Sequence, residues 1–114
     1  MTREEIREKI EAFGLYFDPD HPDHISREKI ETLETPFIEW GTRRRTIRAD
    51  GSDYVLWERL TIYLYTDTNE DVETLTGDGR PFEQALTEAF DRFSAQKNYD
   101  DELGLYFTEY TMEV

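Results

Sequence analysis

The stretch from Tyr54 to Thr66 reads YVLWERLTIYLYT, a run dominated by β-branched, aromatic and aliphatic side chains with a period of two. Leu56, Leu60, Ile62 and Leu64 fall on one face of such a strand, and Trp57, Thr61, Tyr63 and Tyr65 on the other. Both faces are apolar enough to need cover. A chain containing this segment must build a sheet and pack something against it. Glu58 interrupts the leucine face, which suits a strand end or a carboxylate paired with an arginine.

The flanking segments supply the rest of an α+β fold. Thr2 followed by Glu5 fits a capping box, and Ile6, Ile10 and Phe13 recur at helical spacing before Gly14, which predicts a first helix. YFDPDHPDHIS reads as a loop, and Ser26 to Leu33 as a short second helix that stops before Pro36. PFIEW and RRRTIR form one strand or a broken pair, closed by the turn Ala49-Asp50-Gly51-Ser52 into a hairpin with the long strand. Asp67 to Arg80 is acidic and aperiodic and reads as an exposed loop. Pro81 stands where a helix begins, and Phe82, Ala85, Leu86, Ala89, Phe90 and Phe93 form a helical stripe. A closing strand follows from Leu103 to Val114. The expectation is a small antiparallel or mixed sheet of three to four strands, in the order α-(α)-β-β-α-β, with one or two helices on one face.

Length and charge bound the rest. With 114 residues there is room for one core, so residues 1 to 114 are expected to form a single domain. The absence of cysteine removes disulfides, thiolate zinc sites and thiol nucleophiles together. No stretch has the length of apolar run that a secretory signal or membrane span requires, so no membrane association is expected. The net charge is −14, and residues 49 to 114 carry −12 of it, from 4 basic and 16 acidic side chains. A field of that sign repels phosphate, which argues against direct nucleic-acid binding.

The chemistry-bearing clusters are sparse. Asp18, Asp20, His21, Asp23 and His24 are all metal-ligating types, but two prolines shape the loop and no helix fixes the imidazoles on one side, so a solvated acidic loop is the expected reading. Asp67, Asn69 and Asp71 begin a calcium-loop pattern that fails at Val72, where glycine is needed, and at Asp78, where a glutamate is needed. No nucleophile elbow or phosphate-binding glycine loop is present, so no enzyme, cofactor or metal is expected. Arg43, Arg44, Arg45 and Arg48 form a basic cluster suited either to ion pairing, with the acidic second half of the same chain or of a neighbouring copy, or to a charged strand edge.

Taken in series, the pieces ETPFIEW, IRADGSDYVLW, ERLTIYLYTDTNED, PFEQALTEAF and YFTEYTMEV resemble the small tail-completion and tail-terminator proteins of long-tailed bacteriophages and prophages. The likeness spans about residues 34 to 114. It rests on Pro36, Phe37, Ile38 and Trp40; on Ala49, Asp50 and Tyr54; on Ile62, Leu64, Tyr65 and Thr66; and on Tyr110 to Val114. Thr35, Trp40, the Arg43 to Arg45 run and the longer Thr74 to Arg80 segment depart from that pattern. The resemblance implies a tail-terminator-like fold and a non-enzymatic virion protein, made in the bacterial cytoplasm. It also implies a homo-oligomeric ring, commonly a hexamer, which caps the tail tube at the head-tail junction and meets the tube and head-connector proteins. Contacts are then expected through Trp57, Tyr63 and Tyr65 on the sheet, through Arg43, Arg44, Arg45 and Arg48 between copies, and through the loop containing Asp67 and Asp71. The competing expectation is an acidic mimic of DNA that occupies a host nucleic-acid-binding protein, motivated by the charge of the second half.

Overall fold

A computed structural model describes residues 1–49, 52–67 and 73–114, with the backbone alone described for 44–49 and 52–58. The elements follow as α1 (Arg3–Glu11), α2 (Arg27–Ile30), β1 (Phe37–Ala49), β2 (Ser52–Thr66), α3 (Phe82–Phe90), β3 (Ser94–Asp100) and β4 (Leu105–Glu113). The strands form one antiparallel sheet in the order β1-β2-β4-β3. The α+β class, the small sheet and two helices sharing one face agree with the sequence reading.

Two expectations are corrected in detail. The closing part of the chain holds two strands, because residues 94–100, to which the sequence reading assigned no element, pair along their whole length with β4. Their sequence SAQKNYD lacks apolar alternation; backbone pairing to a well-anchored neighbour holds them at the sheet edge. The third helix stops at Phe90, three residues before the end of its apolar stripe. Asp91 adopts φ 72°, and its amide closes the last turn on the Thr87 carbonyl at 2.8 Å. Phe93 leaves the helix and sets its ring edge-on to Tyr110, with centroids 5.3 Å apart.

The two faces of β2 are covered unequally. On one, Leu60, Ile62 and Leu64 pack with Ile6 and Ile10 of α1, Phe82, Ala85 and Leu86 of α3, and Tyr110 and Met112 of β4. Both helices present amphipathic stripes, which is why they share this face. Lys9 joins their ends by donating to the Ala89 carbonyl at 2.7 Å, where the helix dipole favours a cation. On the other face, Ile30 of α2 and Ile25 close over Phe37 and Tyr65, with Leu33, Tyr63, Leu105 and Phe107 around them. The short second helix therefore lies opposite the other two. Farther along this face no described helix covers the sheet, and Thr61, Glu109 and Thr111 remain half-buried beside the exposed Arg59, Gln96 and Glu113.

β1 is a single strand with a register shift between Arg45 and Thr46. It and β2 run well beyond the rest of the sheet. β4 pairs with β2 only from Arg59 to Thr66, so residues 44–49 and 52–58 form a ribbon of two strands with no third. At about 3.4 Å per residue, the seven residues before Arg59 carry this ribbon roughly 20 Å past the last β4 pair. The molecule is accordingly elongated, 50 × 30 × 23 Å, with a radius of gyration of 15.3 Å. A compact chain of this length would have about 13 Å.

Candidate interaction surfaces

The residues predicted to meet partners separate into three groups. Tyr65 is committed to the core: only 8% exposed, it stacks on Phe37 with centroids 4.9 Å apart, and its hydroxyl donates to Glu39 Oε1 at 2.6 Å. Burial and then that hydrogen bond hold its hydroxyl proton well above the ordinary tyrosine range. Tyr65 is thus corrected from a contact residue to an internal one, since a side chain already satisfied inside offers a partner nothing. Tyr63 is half-buried, edge-on to Phe107 at 6.0 Å. Its own proton is held by burial first and then by Glu109 and Glu39.

Arg43 is exposed and stands at the base of the ribbon, opposite Arg59 in register. The Arg44, Arg45, Arg48 and Trp57 side chains, like those of Leu56 and Glu58, lie outside the described residues. Their backbone positions are set by pairing, which places Arg44 opposite Glu58, Arg45 opposite Trp57 and Arg48 opposite Asp53. The turn residues Asp50 and Gly51 lie outside the described residues, as do Asn69, Asp71 and Val72 of the calcium-like pattern. Asp67 is exposed at the end of β2.

The described part of the Asp67 to Arg80 segment is not a free loop. Thr76 is 5% exposed, its amide and hydroxyl both engage the Arg80 backbone, and its hydroxyl also meets Asp78. Arg80 bonds Asp78 at 2.9 Å and pairs with Glu88 of α3. The Thr76 hydroxyl first, and then Arg80, keep the Asp78 carboxyl below the usual carboxylate range. Glu73 Oε1 accepts from the Glu83 amide at 3.3 Å and the Thr74 carbonyl from the Phe82 amide at 2.7 Å, which serves the start of α3 where its N-cap residue, Pro81, has no capping side chain. Gly77 lies against Gly14 so closely that a Cβ on Gly77 would sit 3.1 Å from Gly14 Cα. Residues 73–80 are a turn pinned by these contacts, more ordered than the aperiodic loop expected of them.

Among the described residues no group of three or more His, Cys, Asp or Glu side chains converges on a possible metal site. The Asp18 to His24 loop has a local structure of its own. Asp18 Oδ1 accepts the amides of Asp20 at 2.9 Å and His21 at 3.2 Å, and these bonds lower its pKa. No described helix is long and apolar enough to cross a membrane.

Three residues were given no contact or structural role of this kind from the sequence. Glu39, 8% exposed, accepts from the Ile25 amide at 2.8 Å as well as from Tyr65, and so ties the chain before α2 to the sheet. Tyr99, 53% exposed on the edge strand β3, packs on Tyr106 at 4.7 Å. Trp40 is 1% exposed, yet its indole Nε1 has no hydrogen-bond partner among the described residues. It forms the inner wall of a groove of about 620 Å³ between α1 and the turn at 17–22. The Arg3 guanidinium lies over its ring at 4.9 Å and donates to Thr42 at 3.3 Å. Four carboxylates, from Glu4, Glu8, Glu11 and Asp20, line the groove against the two guanidiniums of Arg3 and Arg7. The period of two in PFIEW already separates Glu39 from Ile38 and Trp40. The unpaired indole donor had no signal in the sequence.

No family model, curated protein or solved structure matches the chain.

Proposed function

We propose that the chain is a non-enzymatic structural subunit of a phage or prophage virion, of the tail-completion or tail-terminator type, which acts by joining copies of itself into a ring at the head-tail end of the tail tube. The observation that carries this reading is the projecting β1–β2 ribbon on a body whose helices share one sheet face. A two-stranded ribbon has little stability in isolation, and a chain gains by extending one only where a neighbour supplies further contacts. The order of elements from residue 34 onward supports the same reading, through its similarity to the tail-terminator pattern. A net charge of −14 suits a ring whose channel must pass DNA without holding it.

The test is absolute mass by light scattering behind size exclusion, across protein concentration and salt, followed by electron microscopy of the protein mixed with tail tubes of the same phage. A closed oligomer, or density capping tube ends, is the expected result. A protein that stays monomeric and binds no tube end overturns the proposal. Competition with duplex DNA for a cationic protein would replace it with the DNA-mimic reading.

A further inference from the structure

We propose that the groove between α1 and the 17–22 turn binds an arginine-bearing extended segment of another protein, and that Arg3 occupies the position such an arginine takes. The inference goes beyond the ring reading and does not depend on it. The groove already receives the chemistry in question. The Arg3 guanidinium lies over the Trp40 ring at 4.9 Å and donates to the Thr42 hydroxyl at 3.3 Å, so an aromatic face and an acceptor together hold a planar cation.

Arg3 is held there weakly. Its side-chain hydrogen bond is long for an N–H···O contact, and it makes no ion pair among the described residues. It is also exposed and stands at the first position of α1, where the helix dipole disfavours a cation. A guanidinium from outside can therefore replace it at small cost.

Charge complementarity argues for a basic occupant. Arg7 pairs with Glu11 at 3.2 Å, which leaves Glu4, Glu8 and Asp20 exposed on the groove walls with no cation paired to them among the described residues. Glu4 and Glu8 are one turn apart on α1, about 6 Å along its axis. Alternate residues of an extended chain are about 7 Å apart, so a segment with arginine at every second position meets this row in step. Phe17 and Pro22 add apolar surface for the methylene stems. At about 620 Å³ the groove has the size of a pocket for a few side chains. Anionic ligands are poor occupants, because a net charge of −14 repels them.

The test uses the full-length chain carrying Trp57→Phe, which leaves Trp40 as its single indole and makes emission a report on the groove. The probe is an acetylated heptapeptide with arginine and alanine in alternation, and its controls replace arginine by citrulline or by lysine. Calorimetry on the wild-type chain gives the same constants without the Trp57 substitution. Saturable binding of the arginine peptide is expected, with none for citrulline and weaker binding for lysine, which cannot stack as a planar cation. Glu4→Gln, Glu8→Gln and Asp20→Asn together are expected to weaken binding about tenfold, the scale of three exposed charge pairs. Arg3→Ala is expected to tighten it, and more than Arg92→Ala, which removes the same charge from an exposed position outside the groove. Circular dichroism and thermal unfolding establish that each variant is folded. Absence of saturable binding, equal binding of the citrulline peptide, or indifference to the three wall substitutions overturns the inference. Equal effects of Arg3→Ala and Arg92→Ala overturn it too, since the peptide would then be reading net charge alone. The oligomeric state of the chain, on which the ring reading stands or falls, enters none of these outcomes.

Discussion

Glu39 is a carboxylate set among aromatic rings, and two donors hold it there: the Tyr65 hydroxyl and the Ile25 amide. Replacing it with leucine strands both donors. Glu39→Leu is expected to cost about 1–3 kcal/mol in urea unfolding, and Tyr65→Phe less, because the carboxylate then keeps its amide partner. The tyrosines also set the alkaline limit of the fold. Tyr65 and Tyr110 both hold their protons above the ordinary range, through burial first and then through Glu39 and Glu83 respectively. Once unfolded, each loses its proton near pH 10. The folded state therefore binds more protons above that pH, and the stability these groups contribute, complete below it, declines as the pH rises further. The urea midpoint is expected to fall between about pH 9 and about pH 11, and less steeply in a Tyr65→Phe, Tyr110→Phe chain. Gly77→Ala tests a different constraint. Its new Cβ would meet Gly14 backbone at 3.1–3.2 Å, atoms that no rotamer change can move aside, so a loss of about 1–3 kcal/mol is expected from thermal unfolding. Little of this was legible in the sequence. Glu58 drew attention because it breaks an apolar run, whereas Glu39 sits in an alternating segment where a polar residue looks solvent-facing. The chain before α2, which brings the Ile25 amide onto that face, makes it internal.

Elements were more legible, because burial patterns repeat. α1 and α3 carry strong apolar stripes, and β2 has apolar positions on both faces, so their existence followed from periodicity. The face that each helix would choose did not follow, since leucine and tyrosine faces are both fit to be buried. β3 was missed for the opposite reason: an edge strand that buries little has no pattern to read, and its evidence is the register with β4 alone. The ribbon was legible as a hairpin and not as a projection, because the length of β4 decides where the third strand ends. Since the described core residues of β2 begin at Leu60, replacing residues 44–58 by a short turn should leave the body folded. The melting temperature of that chain is expected to stay close to wild type, whereas Leu86→Ala, in the centre of the larger cluster, should cost about 2–5 kcal/mol.

At the scale of the whole molecule, charge and shape act together. A net charge of −14 on 114 residues means that folding gathers like charges, so added salt should stabilise the monomer. Raising ionic strength from about 0.01 to about 0.15 M shortens the screening length from about 30 to about 8 Å, and thermal unfolding is expected to shift upward over that range. Sheet order carries one more consequence, which concerns synthesis. β2 pairs on one side with β1, made just before it, and on the other with residues 106–113, made almost last. A nascent chain that has closed its hairpin holds Leu60, Ile62 and Leu64 beside an open strand edge until β4 emerges. At about 5–20 residues per second the wait is on the order of a few seconds. During that time the growing polypeptide is a template for the same segment on neighbouring ribosomes, and the last strand to be translated is the one that ends the exposure.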